Sequence, residues 1–385
     1  MRLAIITTHP IQYYAPVFKL LNDRKKICIK VFYTLGIEKN SKYDPGFGKP
    51  VDWDIPLLNG YDYTWLRNIS SNPGTRSFKG IINPDLTDEI NKWKPDAILI
   101  YGWAYRGHLN ALRYYKKRIP VYFRGDSTVL NEQKGIKGLI KYVFLRWIYK
   151  HIDHAFFVGI NNKQYFEKYG LTEKQLTFAP HAIDNTRFKI DRSIEANDLR
   201  SSLKIKNDDI LILYAGKFEP VKNVSLLLSA FLNLNGPGIH LLLVGNGINE
   251  QALKSQARES NKTGKIHFLD FKNQTYMPVL YYAADLFCLP SMSESWGLAI
   301  NEAMICGKAI LASDKVGAAA DLVKPGKNGG IFKSGNLTDL TYNLNVLILK
   351  GKKELVKMGQ HSKEIIEDWN FENQVKVIES IIGNG

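Results

Sequence analysis

The chain has 385 residues, 45% hydrophobic and 23% charged, a globular composition with length for two domains, each able to bury its own core. Its net charge of +15 is lopsided, with 28 Lys/Arg against 16 Asp/Glu in residues 1–185 and 24 against 21 in residues 186–385; the basic first half suits an anionic membrane, a lipid-phosphate acceptor or nucleic acid, or merely a lysine-rich source. No apolar run reaches the roughly 18 residues that span a bilayer, MRLAIITTHP reads as a first strand and not as a signal peptide, and three cysteines without close pairing (Cys28, Cys288, Cys306) point to reduced thiols, a cytoplasmic setting and no zinc site.

In chain order, apolar strand patterns fall at 3–8, 27–33, 97–101, 121–124 and 155–158, with helical spacing at 106–117 and 136–151. Cys28 and Cys288 lie in such apolar runs. The segment 136–151 (IKGLIKYVFLRWIYKH) is both basic and apolar. It reads as a packed helix with a solvated Lys/Arg face, or as a helix lying on a membrane. A boundary is expected near Pro180–Lys189, followed by a polar stretch to about Asn197. The second half repeats the alternation, with strands at 210–215, 239–244, 265–269, 285–289 and 309–312. Helices are expected at 223–235, capped by Asn223, and at 249–260, with an amphipathic helix closing the chain at 368–382. The alternation predicts a doubly wound α/β fold, with ligands at the C-terminal ends of the strands.

Four segments carry the chemistry. Gly216-Lys217-Phe218-Glu219-Pro220-Val221-Lys222-Asn223 follows a strand and opens a helix, so two cations and a helix start suit a diphosphate. Gly245-Asn246-Gly247 closes the next strand without the third glycine of a dinucleotide fingerprint. In Leu289–Ala303 an apolar strand enters a Ser-rich loop with Glu294, and a helix beginning near Gly297 carries Glu302. Two carboxylates flanking the amides of Trp296–Leu298 fit a ligand that is sugar at both ends and phosphate in the middle. Ala179–Phe188 at the junction is only a polar turn in itself.

These segments, with Tyr282–Ser291, occur in the order found in glycosyltransferase family 4, the retaining enzymes of GT-B fold, and over residues 180–330 the chain resembles that family. The resemblance implies two Rossmann-like doubly wound domains facing a central cleft: 1–185 for the acceptor, 186–367 for the nucleotide sugar, and a helix at 368–385 crossing back to the first. It implies that Glu302 holds the ribose, that Glu294 stands beside the transferred sugar, and that Lys217 (where the family more often has Arg) and Lys222 neutralise the diphosphate. Amides of Ser295, Trp296, Gly297 and Leu298 would contact sugar and phosphate. The base would lie against the Gly245–Gly247 turn and the Phe268–Phe271 segment, and Gly216 would also belong to the donor site.

In the first half the family's glycine-rich loop is replaced by Thr7–Tyr14, where His9 offers a side-chain donor. Where many members place a histidine near the sugar, this chain has Arg124 and Asp126, of which Asp126 is favoured as catalytic. Tyr101 and Trp103 follow a strand and suit stacking on an acceptor sugar. The implied reaction transfers a sugar with retention, from a UDP-sugar in preference to a GDP-sugar, to a glycan, lipid-linked or other acceptor of surface polysaccharide or glycoconjugate. The leaving diphosphate takes the acceptor proton, no cofactor beyond the nucleotide sugar is implied, and Asp52-Trp53-Asp54 is not taken as a metal site. A sugar-nucleotide epimerase or hydrolase of the same fold is the alternative; a nucleic-acid-binding protein is disfavoured because the basic residues are scattered. The expected setting is cytoplasmic, with peripheral contact of the basic half at the inner face of the membrane.

Overall fold

A computed structural model describes residues 1–36, 43, 44, 46, 47, 49–132 and 135–383. The described residues form two units: the first from Met1–Ser41, Pro56–Ala182 and Phe371–Gly385, the second from Lys42–Ile55 and Ile183–Asn370. The strands are β1 (Arg2–Thr7), β2 (Cys28–Tyr33), β3 (Tyr43–Asp44), β4 (Lys49–Pro50), β5 (Asp62–Trp65), β6 (Ala97–Tyr101), β7 (Val121–Arg124), β8 (His154–Phe157) and β9 (Leu176–Phe178), then β10 (Ile210–Ala215), β11 (Ile239–Val244), β12 (Ile266–Leu269), β13 (Leu286–Leu289), β14 (Ala309–Ser313) and β15 (Gly329–Phe332).

Unit 1 is a seven-stranded sheet of order β5-β2-β1-β6-β7-β8-β9, parallel throughout. Its side chains alternate between two cores. Ala4, Ile6, Ile98 and Ile100 enter one, and Leu3, Ile5, Ala97 and Leu99 the other, as the two-residue period of a strand requires. Burial on both faces explains why these strands read as unbroken apolar runs. The helix Phe371–Ile382 belongs to this unit and closes the second core with Val375, Ile378 and Ile382, each worth about 1.5–3 kcal/mol of burial. Arg24, at the end of the helix Ala15–Asp23, clamps it by donating to Glu379 at 2.9 Å and Glu372 at 3.1 Å.

Unit 2 is a six-stranded sheet of order β12-β11-β10-β13-β14-β15, again parallel. Every residue of β10 and β11 is buried. Both units are thus doubly wound α/β, the GT-B pair of sheets. In each sheet the winding reverses once: between β1 and β6 in unit 1, and between β10 and β13 in unit 2. At a reversal, successive crossovers leave in opposite directions and open a crevice at the strands' C-terminal ends.

One local expectation needs correction. Asn223 does not cap its helix through its side chain; it takes a left-handed conformation (φ +52°) because it also ends the 3-10 turn Pro220–Lys222, a backbone state that asparagine tolerates. The polar stretch to about Asn197 runs into a helix, Ser193–Ser202, of which Ala196, Leu199 and Arg200 are buried. Cys28 and Cys288 lie in strands as expected, β2 and β13; Cys28 is exposed, and Cys288 and Cys306 are buried.

Candidate functional site

The turns after β10 and β11 are packed backbone to backbone. Gly216 donates to the Val244 carbonyl at 2.9 Å, Phe218 to Asn246 at 2.9 Å, and Asn249 to the Phe218 carbonyl at 3.0 Å. A Cβ on Gly245 would overlap the Gly216 carbonyl oxygen, and one on Gly247 would stand 2.8 Å from the Phe218 backbone. The two glycines of the G-x-G therefore let one loop lie on the other, a close approach that only glycine permits. The Tyr214 hydroxyl donates to the Lys217 carbonyl at 2.8 Å and fixes the loop from below. Burial, then the charges of Glu294 and Glu219, push this phenol well above its ordinary pKa.

Across the reversal point, the loop after β13 brings Glu294 to that lysine loop. Lys222 Nζ pairs with the Glu294 carboxylate, which also accepts from Ser291 Oγ at 3.3 Å. The Glu294 amide donates to the Lys315 carbonyl at 3.0 Å, and its own carbonyl accepts from Gly317 at 3.1 Å, so the backbone around the acid is pinned. Gly297, in the left-handed region at φ +96°, turns the chain into the helix Leu298–Ile305. The first amides of that helix, Leu298 and Ala299, lack intrahelical carbonyls by geometry. Ser295 is exposed, while Trp296 is buried, donating to Asn301 Oδ1 at 3.0 Å and stacking on Trp369 with centroids 5.0 Å apart. Glu302, one turn into the helix, is buried, and its Oε2 accepts from the Tyr281 hydroxyl at 2.8 Å.

Lys217 lies against Gly46 and Phe47. Its ammonium stands 5.0 Å from the centroid of the Phe47 ring, and Phe47 in turn packs on Phe271 at 4.6 Å. Phe271 is held from the other side, since its amide donates to Asn246 Oδ1 at 3.0 Å. The Asp52-Trp53-Asp54 segment has a positioning role here: the Asp52 carbonyl accepts from Asn273, and the Asp54 carboxylate accepts from the Thr275 hydroxyl and amide.

In unit 1 the candidate residues gather at the ends of β1, β6 and β7. His9 Nδ1 is 2.9 Å from Thr8 Oγ1. Tyr101 is buried against Tyr14 at 4.7 Å, and its hydroxyl has no hydrogen-bond partner; burial raises it to about 12. Arg124 is buried below the loop surface and donates to the carbonyls of Ala179 and Pro180 at 3.0 Å each. It thereby fixes the junction turn that sequence reading left without a physical role. Its charge adds to burial in holding His181 down to about 3. Asp126 is half-buried and acts electrostatically on Tyr14 and Tyr105. Trp103 is partly buried against the first core of unit 1 and also meets Phe144 edge-on at 5.9 Å, so part of its ring is committed to the protein itself.

The structure thus brings Lys222 and Glu294 into contact, stacks Gly216, Gly245 and Gly247 in one layer, and seats Lys217 and Phe271 around Phe47. Sequence reading missed Tyr281, Ser291 and Asn246. Only Asn246 carried a local signal, as the middle residue of a G-x-G turn whose side chain also bonds Glu250 and Asp270.

Residues 195–365 match the family model described as Glycosyl transferases group 1. A D-inositol 3-phosphate glycosyltransferase of Rhodococcus erythropolis is 26% identical over 220 residues, covering 55% of this chain and 49% of that protein. An uncharacterized glycosyltransferase of Methanocaldococcus jannaschii is 26% identical over 199 residues, covering 51% and 50%. The chain spans about half the length of the curated relatives it matches. Among solved structures, Anabaena Alr3699/HepE in complex with UDP superposes with a TM-score of 0.74 at 16% identity over 100% of both chains. Sucrose-phosphate synthase of Thermosynechococcus elongatus superposes with 0.76 at 18% identity, over 100% of this chain and 98% of that one.

Proposed function

We propose that this chain, whose residues 195–365 match the family model of the glycosyl transferases of group 1, is a retaining glycosyltransferase. It moves a sugar from a nucleotide diphosphate to a glycan, lipid-linked or other acceptor in surface polysaccharide or glycoconjugate assembly. The observation that carries the reading is the Lys222–Glu294 contact at the reversal point of the second sheet, beside the helix that holds Glu302. The UDP of the Anabaena neighbour supports a uridine donor over a guanosine one.

In this reading the anomeric carbon–oxygen bond breaks as negative charge grows on the diphosphate. Lys217, Lys222 and the first amides of the Leu298–Ile305 helix stabilise that charge without reorganising, and such preorganised donors are the largest catalytic contribution in comparable sites. Glu302 accepts from the ribose hydroxyls, and Glu294 holds the sugar and keeps Lys222 aimed. The acceptor attacks the face that the diphosphate leaves and gives its proton to the departing phosphate. Two ammonium groups supply the positive charge, so the reading requires no metal. Unit 1 supplies the acceptor site through Asp126, His9 and Tyr101, whose buried hydroxyl awaits a partner. The protein works in the cytoplasm, with unit 1 in peripheral contact with the inner face of the membrane.

The test incubates the chain with radiolabelled UDP-sugars, with and without a membrane and glycan extract. Label transferred to the extract, and lost in Glu294→Gln, supports a transferase. Label released as free or epimerised sugar irrespective of the extract overturns it in favour of a hydrolase or epimerase.

A further inference from the structure

The helix Ile136–Tyr149 presents its apolar residues on two opposite faces. Leu145, Ile148 and Tyr149 are buried in unit 1. On the other side, Ile136 is 80% exposed, Leu139, Ile140 and Val143 are 62–66% exposed, and Phe144 and Trp147 are exposed as well. At 100° per residue these six form one stripe centred roughly 180° from the packed face and about 17 Å long. The solvated basic face that a merely packed helix would show is thus replaced by an apolar one. Lys137 flanks the stripe on one side and Arg146 on the other, Lys150 stands at its C-terminal end, all three exposed, and no acidic residue occurs between Gly135 and His151.

A second feature adjoins the stripe. An open groove of about 610 Å³ is lined in part by Arg113, Arg118 and His151. Arg113 stands over the Trp147 ring at 5.5 Å, and the His151 ring meets it edge-on at 5.1 Å. Two residues of the groove, Arg113 and His151, thus rest on Trp147 of the stripe, an amphipathic ring of the kind favoured at membrane–water interfaces.

We propose that this face is the surface by which unit 1 binds an anionic lipid bilayer. The stripe enters the boundary between headgroups and acyl chains, the flanking cations meet lipid phosphates, and the groove takes a headgroup phosphate. A helix with an exposed apolar face and cationic flanks lies in the interface plane, and no helix among the described residues is long and apolar enough to cross a membrane. A second copy of this chain is a poorer occupant, because self-pairing would set like charges against each other on both flanks. The proposal deepens the membrane contact in the function proposed above and rests on that reading, not on the transfer chemistry.

The test is co-sedimentation of the full chain with phosphatidylcholine vesicles, with and without phosphatidylglycerol. We expect binding to the anionic vesicles that falls with added salt, and binding to the neutral ones at least tenfold weaker. Leu139→Glu with Val143→Glu should lower affinity for anionic vesicles at least tenfold, and Lys137→Gln and Lys150→Gln about fivefold each. All four positions are exposed, so the melting temperature and its increase by nucleotide sugar should not move. Unaltered vesicle binding in the double glutamate variant overturns the proposal, as does a dimer that this variant dissociates in the absence of lipid. Vesicle binding lost with nucleotide-sugar stabilisation intact separates this surface from the donor site.

Discussion

Lys222 Nζ pairs with the carboxylate of Glu294, 72 residues further along the chain. One side chain leaves the loop after β10 and the other the loop after β13, so the pair bridges the point where the second sheet reverses its winding. With side-chain exposures of 22% and 20%, both groups are shielded yet reachable. In the function proposed above, the carboxylate holds the ammonium where the diphosphate arrives, and an incoming group of higher charge competes for it.

Lys222→Ala should therefore lower kcat by about 10²–10³, the cost of removing one preorganised donor at a developing charge. Glu294→Gln should lower kcat more than it raises KM. Because the two act as a unit, the double variant should lose less than the product of the single losses. Initial rates with a UDP-sugar donor measure all three, and the same assay in EDTA should retain the full rate.

Glu302 and Tyr281 form the second test. A saturating nucleotide sugar at 100 times its Kd should stabilise the parent chain by about 2.7 kcal/mol. Glu302→Ala should abolish that gain. Tyr281→Phe, which removes the 2.8 Å hydrogen bond to Glu302, should reduce it by weakening the orientation of the acid. Thermal unfolding with and without ligand reads both.

Gly245→Ala should destabilise the protein by about 1–3 kcal/mol, the cost of forcing extra volume into a packed site, because its methyl group would overlap the Gly216 carbonyl. Gly264→Ala meets nothing within 4 Å and should be close to neutral. Urea unfolding of the two variants gives the comparison.

Much of this architecture was legible because it rests on local pattern. The buried runs Ile210–Ala215 and Ile239–Val244 were read to the residue, and Ala97–Tyr101 and Val121–Arg124 likewise. The Gly245-Asn246-Gly247 turn announced itself by composition, although its purpose, laying one loop on another, is visible only in three dimensions. β15 was not foreseen, since its Gly329-Gly330 start has little strand propensity; Gly329 is needed because β14 passes so close that a Cβ would overlap the Ile310 carbonyl. β5 is an edge strand of exposed and half-buried residues and lacks the apolar signal of its neighbours. Tyr281 on Glu302, and Thr275 on Asp54, join residues far apart in sequence, which no periodicity encodes. The two apolar faces of Ile136–Tyr149 were merged in the sequence because both are rich in large side chains.

His108 gives the pH test. Its ring is buried, bonded to Thr34 Oγ1 at 2.8 Å and the Gly102 carbonyl at 2.9 Å, and burial holds it down to about 4 from an ordinary 6.5. Above pH 6.5 it is neutral both folded and unfolded. Between 6.5 and about 4 only the unfolded chain takes the proton, so stability falls with falling pH, by up to about 3 kcal/mol from this group. His181 and His267, also depressed by burial, add in the same direction. His108→Gln should flatten the slope of unfolding free energy against pH, measured by urea unfolding between about pH 7 and pH 4.5.

A crystal structure of the chain with a non-transferable UDP-sugar analogue tests the assignment of the site most directly. The diphosphate should lie within about 3.2 Å of the Lys217 and Lys222 ammonium groups, with the ribose hydroxyls on Glu302 and the sugar beside Glu294. A nucleotide bound away from the loops after β10 and β13, with the Lys222–Glu294 pair undisturbed, would contradict it.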